Sequence, residues 1–326
     1  MNNSETHNSP SYYIDGILKC NTAILSRAIT IIESKNPEHR TLANQIIDGV
    51  IHNSGNSFRL GITGVPGVGK STFIESFGKE LLNHGHKVAV LAIDPSSTKS
   101  KGSILGDKTR MNFLAAQDKV FIRPSPSSGS LGGVAQATYE TILVCEAAGF
   151  DFIIVETVGV GQSEIAVSKM TDFFLLLMLA GAGDDLQGIK RGIMEMADLI
   201  LITKADGDNK DKANIARAQY ANAIHFFPPT ESGWIPKVET CSSTEEKGIL
   251  HAYQIIDEYK NFTTLNGYFN EKRKIQQLEI LRETLNSEIV KQFYLTHQIE
   301  KKLDNLKLKD IINPFSEANK LLKEKD

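Results

Sequence analysis

One run of eight residues has types dictated by phosphate chemistry. Gly64-Val65-Pro66-Gly67-Val68-Gly69-Lys70-Ser71 matches G-x-x-x-x-G-K-[ST] at every position, with Thr72 directly after it. Glycines let consecutive backbone N–H groups turn inward on phosphate oxygens, Lys70 supplies a cation for the β and γ oxygens, and Ser71 offers a hydroxyl to Mg²⁺. The apolar run FRLGIT precedes the motif and the helical pattern STFIESFGKELL follows it, so a helix N-terminus adds its positive end to the cradle. A dinucleotide fingerprint would need a third glycine after Gly67-x-Gly69, where Lys70, Ser71 and Thr72 stand instead.

Two acids close apolar runs that should lie beside this cradle. Asp94 opens the polar stretch DPSSTKSKGSILGDKTRM, which carries a second acid, Asp107. Glu156 ends DFIIVE, where a Walker-B acid sits. Mg²⁺ binds few protein oxygens and keeps several waters, so these acids suit either direct ligation or hydrogen bonding to the waters. Glu156-Thr157-Val158-Gly159 has the Asp-x-x-Gly spacing with a longer acid, and Gly159 is placed to offer its N–H to a γ-phosphate. Ras-like proteins put the water-orienting Gln directly after that glycine. Here Gln162 lies three residues on, which leaves open a role only at a helix start. The stretch AGAGDDLQGIKRG brings Asp184, Asp185, Gln187 and Lys190 to another strand end, either as a solvated helix cap or as a third switch loop.

A base reader follows. In TKADGD, Asp206 can accept both the N1–H and the N2 amine of guanine, while Lys204 lays its stem over the base plane. Guanine-binding proteins usually place Asn before that Lys, to support the base or brace the P-loop. Thr203 is shorter, so part of that support is expected to weaken or move. Downstream, Ser242-Ser243-Thr244 ends another strand, where a backbone N–H can meet guanine O6.

The elements that must position these residues alternate. Short apolar runs at 58–63, 87–94, 120–123, 152–156, 173–179, 199–203 and 237–241 are separated by helical patterns. Strands buried on both faces read this way, so the expected fold is α/β: a P-loop NTPase with a mainly parallel sheet and helices on both faces. Helical extensions flank it. The expected organisation is a disordered 1–10, a helical 11–56, a G domain at 57–260 and a helical 261–326. In the last segment Ile275, Leu278, Leu281, Leu285 and Ile289 form one apolar face, which either covers the core or serves as a dimerisation arm.

Composition narrows the class. The 36 basic and 39 acidic residues give a net charge of -3, against a nucleic-acid binder held by a broad basic surface. Cys20, Cys145 and Cys241 form no C-x-x-C, so neither a disulfide framework nor a zinc clip is expected. The apolar FFLLLMLA is far below the roughly 20 residues of a membrane-spanning helix, and the N-terminus has no apolar signal region. A cytoplasmic protein with no membrane partner is expected.

With those residues in place, the chain resembles the MeaB/MMAA family, also written ArgK-type, of G proteins that accompany methylmalonyl-CoA mutase. The likeness runs from about Leu18 to the C-terminus and rests on GVPGVGKSTFIE, LAIDPSSTKSKGSILGDKTRM, IRPSPSSGSLGG, ETVGVGQSE, DDLQGIKRGIMEMAD and TKADGD. The resemblance implies a SIMIBI-class G domain, a homodimer, and a GTP-dependent chaperone that gates adenosylcobalamin loading and protects or reactivates the mutase. It implies GTP/GDP and Mg²⁺ as cofactors. It would put residues 64–72 on phosphate, Asp206 and 242–244 on guanine, and Ser71, Asp94, Asp107 and Glu156 around the metal. Asp184 and Lys190 would lie in the switch loop that couples to the mutase. The competing reading is a small-molecule kinase or a transport-associated ATPase, which shares the P-loop but has no use for Asp206 as a guanine reader.

Overall fold

The computed structural model describes residues 9–34, 36–94, 111–126, 131–157, 163–181, 191–306 and 313–323. The chain divides into two compact units, 1–276 and 277–326.

Three helices open the first unit: α1 (Pro10–Leu18), α2 (Thr22–Ile32) and α3 (Pro37–Val50). Local chemistry sets their starts. Asn21 accepts hydrogen bonds from the N–H groups of Ala23 and Ile24, and Asn36 accepts one from Glu38 with Pro37 in the first turn. Their apolar faces, including Ile17, Leu25, Ile29 and Ile46, are fully buried.

Seven strands form one parallel sheet: β1 (Phe58–Gly64), β2 (Val88–Asp94), β3 (Val120–Pro126), β4 (Phe152–Thr157), β5 (Phe173–Leu179), β6 (Leu199–Thr203) and β7 (Lys237–Thr240). Their order is β3-β2-β4-β1-β5-β6-β7. Between and after them lie α4 (Lys70–Asn83), α5 (Asn112–Ala115), α6 (Leu131–Ala147), α7 (Ser163–Ser168), α8 (Arg191–Glu195), α9 (Lys210–Ile224), α10 (Ile249–Leu265) and α11 (Tyr268–Thr296). Every residue of β1 and β4 is buried, the signature of strands covered on both sides. Phe58, Leu60 and Ile62 face a cluster with Phe73 and Phe77 of α4 and Ile255 and Tyr259 of α10. On the opposite face, Met178, Ile200 and Ile202 pack with Ala213, Ala216 and Tyr220 of α9.

That opposite face also holds a buried ion pair. Arg59 on β1 donates to both oxygens of Glu146 on α6 at 2.8 and 3.0 Å, and Ser57 Oγ and Gly55 N–H donate to the same carboxylate at 2.6 and 2.7 Å. Burial works against the Arg59 charge, but the Glu146 hydrogen bond and the Glu146 and Asp172 charges outweigh it and push the guanidinium further up. Removing one partner would strand the other, at a cost of about 3–5 kcal/mol.

The sheet's amino edge carries a buried acid. Asp198, at the entry to β6, accepts from Phe174 N–H at 2.8 Å, and burial pushes its carboxyl up to about 6 against the Lys272 charge and the Phe174 bond. An unfolded aspartate titrates near roughly 4, so from there to about 6 the native state holds a proton that the unfolded chain has lost. Stability therefore falls as pH rises through that window. Asp198→Asn keeps an acceptor for Phe174 and removes the charge, so it should raise the melting point at pH 8, by the equivalent of roughly 1–3 kcal/mol, and change little at pH 4. Equal shifts at the two pH values would refute this account of Asp198.

α11 runs across the boundary of the two units, followed by α12 (Ile299–Asn305) and α13 (Pro314–Lys323). Its predicted stripe is exposed: Ile275, Leu278, Leu281, Leu285 and Ile289 range from 46% to 64% accessible. No helix among the described residues is long and apolar enough to cross a membrane.

Candidate functional site

The strand order reverses at β1, which lies between β4 and β5. In open α/β sheets the crevice outside the carboxyl ends at such a point is the ligand site, and the phosphate motif leaves β1 there. Gly64 ends the strand at φ +154, and a Cβ on it would stand 2.5 Å from the carbonyl oxygen of Leu177 on β5. Only glycine lets the loop leave so close to its neighbour. Gly69, left-handed at φ 97, is the N-cap of α4 and turns the chain into the helix. Lys70, mostly buried, folds its ammonium back over the loop to the carbonyls of Gly64 at 2.7 Å and Val65 at 3.4 Å. Val65 and Val68 close the loop's inner turn through a 3.2 Å N–H to carbonyl bond, and Val68 is fully buried. Pro66, Gly67 and Thr72 are exposed and Ser71 is half-buried at the first turn of α4.

Two of the predicted acids end adjacent strands. β2 closes at Asp94 and β4 carries Glu156 in register with Ala92 of β2 and Ile62 of β1. Glu156 is buried. One residue later, Thr157 donates to Thr63 of β1 at 2.8 Å, both side chains being buried, which ties the two strand ends under the phosphate loop. The hydroxyl of Ser71 and the carboxylates of Asp94 and Glu156 are hard oxygen donors, which suits Mg²⁺ and not a thiol-seeking metal. Asp107, Gly159, Gln162, Asp184, Asp185, Gln187 and Lys190 lie outside the described residues.

The base-reading segment leaves β6. Thr203 is buried and its hydroxyl reaches Val68 O of the phosphate loop at 2.7 Å, with Met178 O at 3.2 Å. The bracing expected to weaken with a short residue is thus made by a hydroxyl. Thr203→Val, the same size without the donor, should lower GDP affinity about three- to tenfold by leaving a buried Val68 carbonyl without its hydroxyl partner, while Thr203→Ser should keep it. A GDP titration of both variants checks this, and equal affinity for Thr203→Val and wild type would contradict it.

Lys204 is exposed in a left-handed turn at φ 56, held by Asn209 Nδ2 on its carbonyl at 2.8 Å. Asp206, half-buried, accepts at Oδ2 from Ser242 Oγ at 2.5 Å and from Thr244 Oγ1 at 3.1 Å. The 242–244 segment therefore meets Asp206 through hydroxyls, a contact the sequence did not point to. Ser243 presents its carbonyl to Ser76 Oγ of α4 at 2.9 Å.

Sequence reasoning missed three residues: Ser76, Thr63 and Thr157. Ser76 follows Ser71 by five positions and so reads as an ordinary helix residue. The two threonines carried one faint signal, a hydroxyl near the end of each of two neighbouring apolar runs.

A phosphate loop at the reversal of a parallel sheet, with a Lys-x-Asp segment leaving a later strand, defines a P-loop nucleotide-binding protein. More particularly, the chain belongs to the methylmalonyl-CoA mutase-associated GTPase MeaB family, whose model matches residues 25–298. It is 49% identical over 279 residues to the GTPase ArgK of Escherichia coli K12, covering 86% of this chain and 84% of that one. It is 41% identical over 321 residues to the mitochondrial methylmalonic aciduria type A homolog of Mus musculus, covering 94% and 77%. A solved structure described as an LAO/AO transport system kinase superposes with TM-score 0.75 at 37% identity, covering 99% of this chain and 98% of that one. The protein is a GTPase.

Proposed function

We propose that this GTPase serves an adenosylcobalamin-dependent acyl-CoA mutase, methylmalonyl-CoA mutase first among them, gating cofactor loading and protecting or reactivating the enzyme. The observation that carries this reading is the match to a family described as mutase-associated across residues 25–298. The mouse relative, a methylmalonic aciduria type A homolog, agrees with it.

In this reading GTP lies along the carboxyl edge with residues 64–72 on its phosphates. Lys70 exchanges its loop carbonyls for β and γ oxygens. Ser71, Asp94, Asp107 and Glu156 make the environment of Mg²⁺, which when bound offsets charge on the phosphate oxygens. Asp206, Lys204 and the 242–244 segment take guanine. Gly159 and Gln162, with Asp184, Asp185, Gln187 and Lys190, belong to loops that report hydrolysis to the mutase. Turnover is slow alone, because the phosphate loop has no arginine and no Gln directly follows Gly159. The exposed stripe of α11 supports a homodimer, and no sequence feature calls for a nucleic acid or a membrane.

The test is copurification with candidate mutases in GTP, GDP and a non-hydrolysable GTP analogue. Binding that changes with nucleotide supports the proposal, and the absence of any nucleotide-sensitive complex would defeat it.

A further inference from the structure

We infer that Thr244 is a specificity-determining positioning residue, which together with Ser242 clamps one oxygen of Asp206 and so fixes the plane in which the carboxylate meets guanine. The inference rests on Asp206 being the guanine reader.

An ionised carboxylate only accepts hydrogen bonds, so the protons of this cluster are fixed. Ser242 Oγ–H points at Asp206 Oδ2 across 2.5 Å and Thr244 Oγ1–H points at the same oxygen across 3.1 Å. The two hydroxyls stand 3.1 Å apart, but with both protons committed to Oδ2 neither donates to the other. Ser242 Oγ in turn accepts from Glu245 N–H at 3.1 Å. Among the described residues nothing donates to Asp206 Oδ1. A side chain on a short loop with two free torsions is therefore held in one orientation by two donors on one oxygen, with the second oxygen open.

The clamp is itself anchored. Ser242 and Lys247 pair as an antiparallel bridge, N–H to carbonyl at 2.9 and 3.0 Å in the two directions. Ser76 Oγ holds Ser243 O at 2.9 Å, and Lys79 meets Glu246 at 3.3 Å. Ser76 and Lys79 both belong to α4, the helix that begins at the phosphate loop. The orientation of Asp206 is thereby referred to the helix that also positions the phosphate cradle, so base and phosphate are read in a fixed register. Guanine's two neighbouring N–H donors gain from that register, and adenine, which has no such pair, gains nothing.

Ser242 also supports the loop backbone, so Thr244 is the cleaner position to change. The experiment measures GDP and ADP affinities of the full chain by displacement of a fluorescent GDP analogue. Thr244→Val keeps the volume and should weaken GDP about five- to tenfold while leaving ADP unchanged, and Thr244→Ser should restore GDP to near the wild-type value. Unchanged GDP affinity in Thr244→Val would overturn the clamp, as would an equal loss of GDP and ADP, which marks a merely structural threonine. Asp206→Asn in the same assay separates the two levels. If it loses the GDP preference while Thr244→Val does not, only the clamp fails. If it keeps the preference, the guanine reading fails and takes the clamp with it.

Discussion

Asp206→Asn is expected to weaken GDP binding by roughly a hundredfold and to bring xanthosine diphosphate above GDP in affinity. The carboxylate accepts the N1–H and the N2 amine of guanine, each a charge-assisted bond, and together they contribute about 3 kcal/mol or more. An amide at the same place turns an N–H toward the guanine amine, donor against donor, but offers that N–H to the carbonyl xanthine carries at the same position. Ser242 and Thr244, which donate to Asp206 in the wild type, can still donate to the amide oxygen of Asn, so the loop keeps its shape. Nucleotide competition against a fluorescent GDP analogue reads both halves of the exchange. An intact preference for GDP would place the base reader elsewhere.

Lys70→Met should reduce GTP turnover by about a hundred- to a thousandfold, the usual cost of removing one preorganised charge from a developing anion. Methionine keeps the buried stem, so the loop's packing against Val68 and the strand ends is spared. The variant does remove the ammonium that Gly64 O and Val65 O accept from, so the fold is checked beside the activity. Single-turnover phosphate release is the measurement, with circular dichroism confirming the fold. Turnover within a factor of ten of wild type would remove Lys70 from the chemistry.

Much of the architecture was legible because parallel strands buried on both faces leave unbroken apolar runs, as in residues 173–179. β3 was read as ending at 123 and in fact continues to Pro126, with Pro124 and Pro126 in register with Ala92 and Asp94. Proline usually argues against a strand. It is tolerated here because β3 is the sheet's edge and pairs only with β2, so a missing N–H can face outward. The strand order was not legible, since crossovers carry no local pattern.

At the site, the phosphate loop announced itself through its glycines, whose spacing has one main physical use. Thr203 did not, because whether a short side chain reaches a neighbouring loop depends on a few tenths of an ångström. The structure puts its hydroxyl 2.7 Å from Val68 O, so the departure from Asn keeps the brace. The dual use of Ser242 and Thr244 was equally hidden, since a sequence shows two hydroxyls and not the oxygen they share.

The most direct test of the central claim is equilibrium competition on the wild-type protein in the presence of Mg²⁺, with GTP and ATP displacing the same labelled GDP. A site built around the Asp206 carboxylate predicts half-displacement by GTP at a concentration roughly a hundredfold or more below that of ATP. Equal displacement, or displacement by ATP first, would contradict it and return the chain to the kinase or transport-ATPase reading.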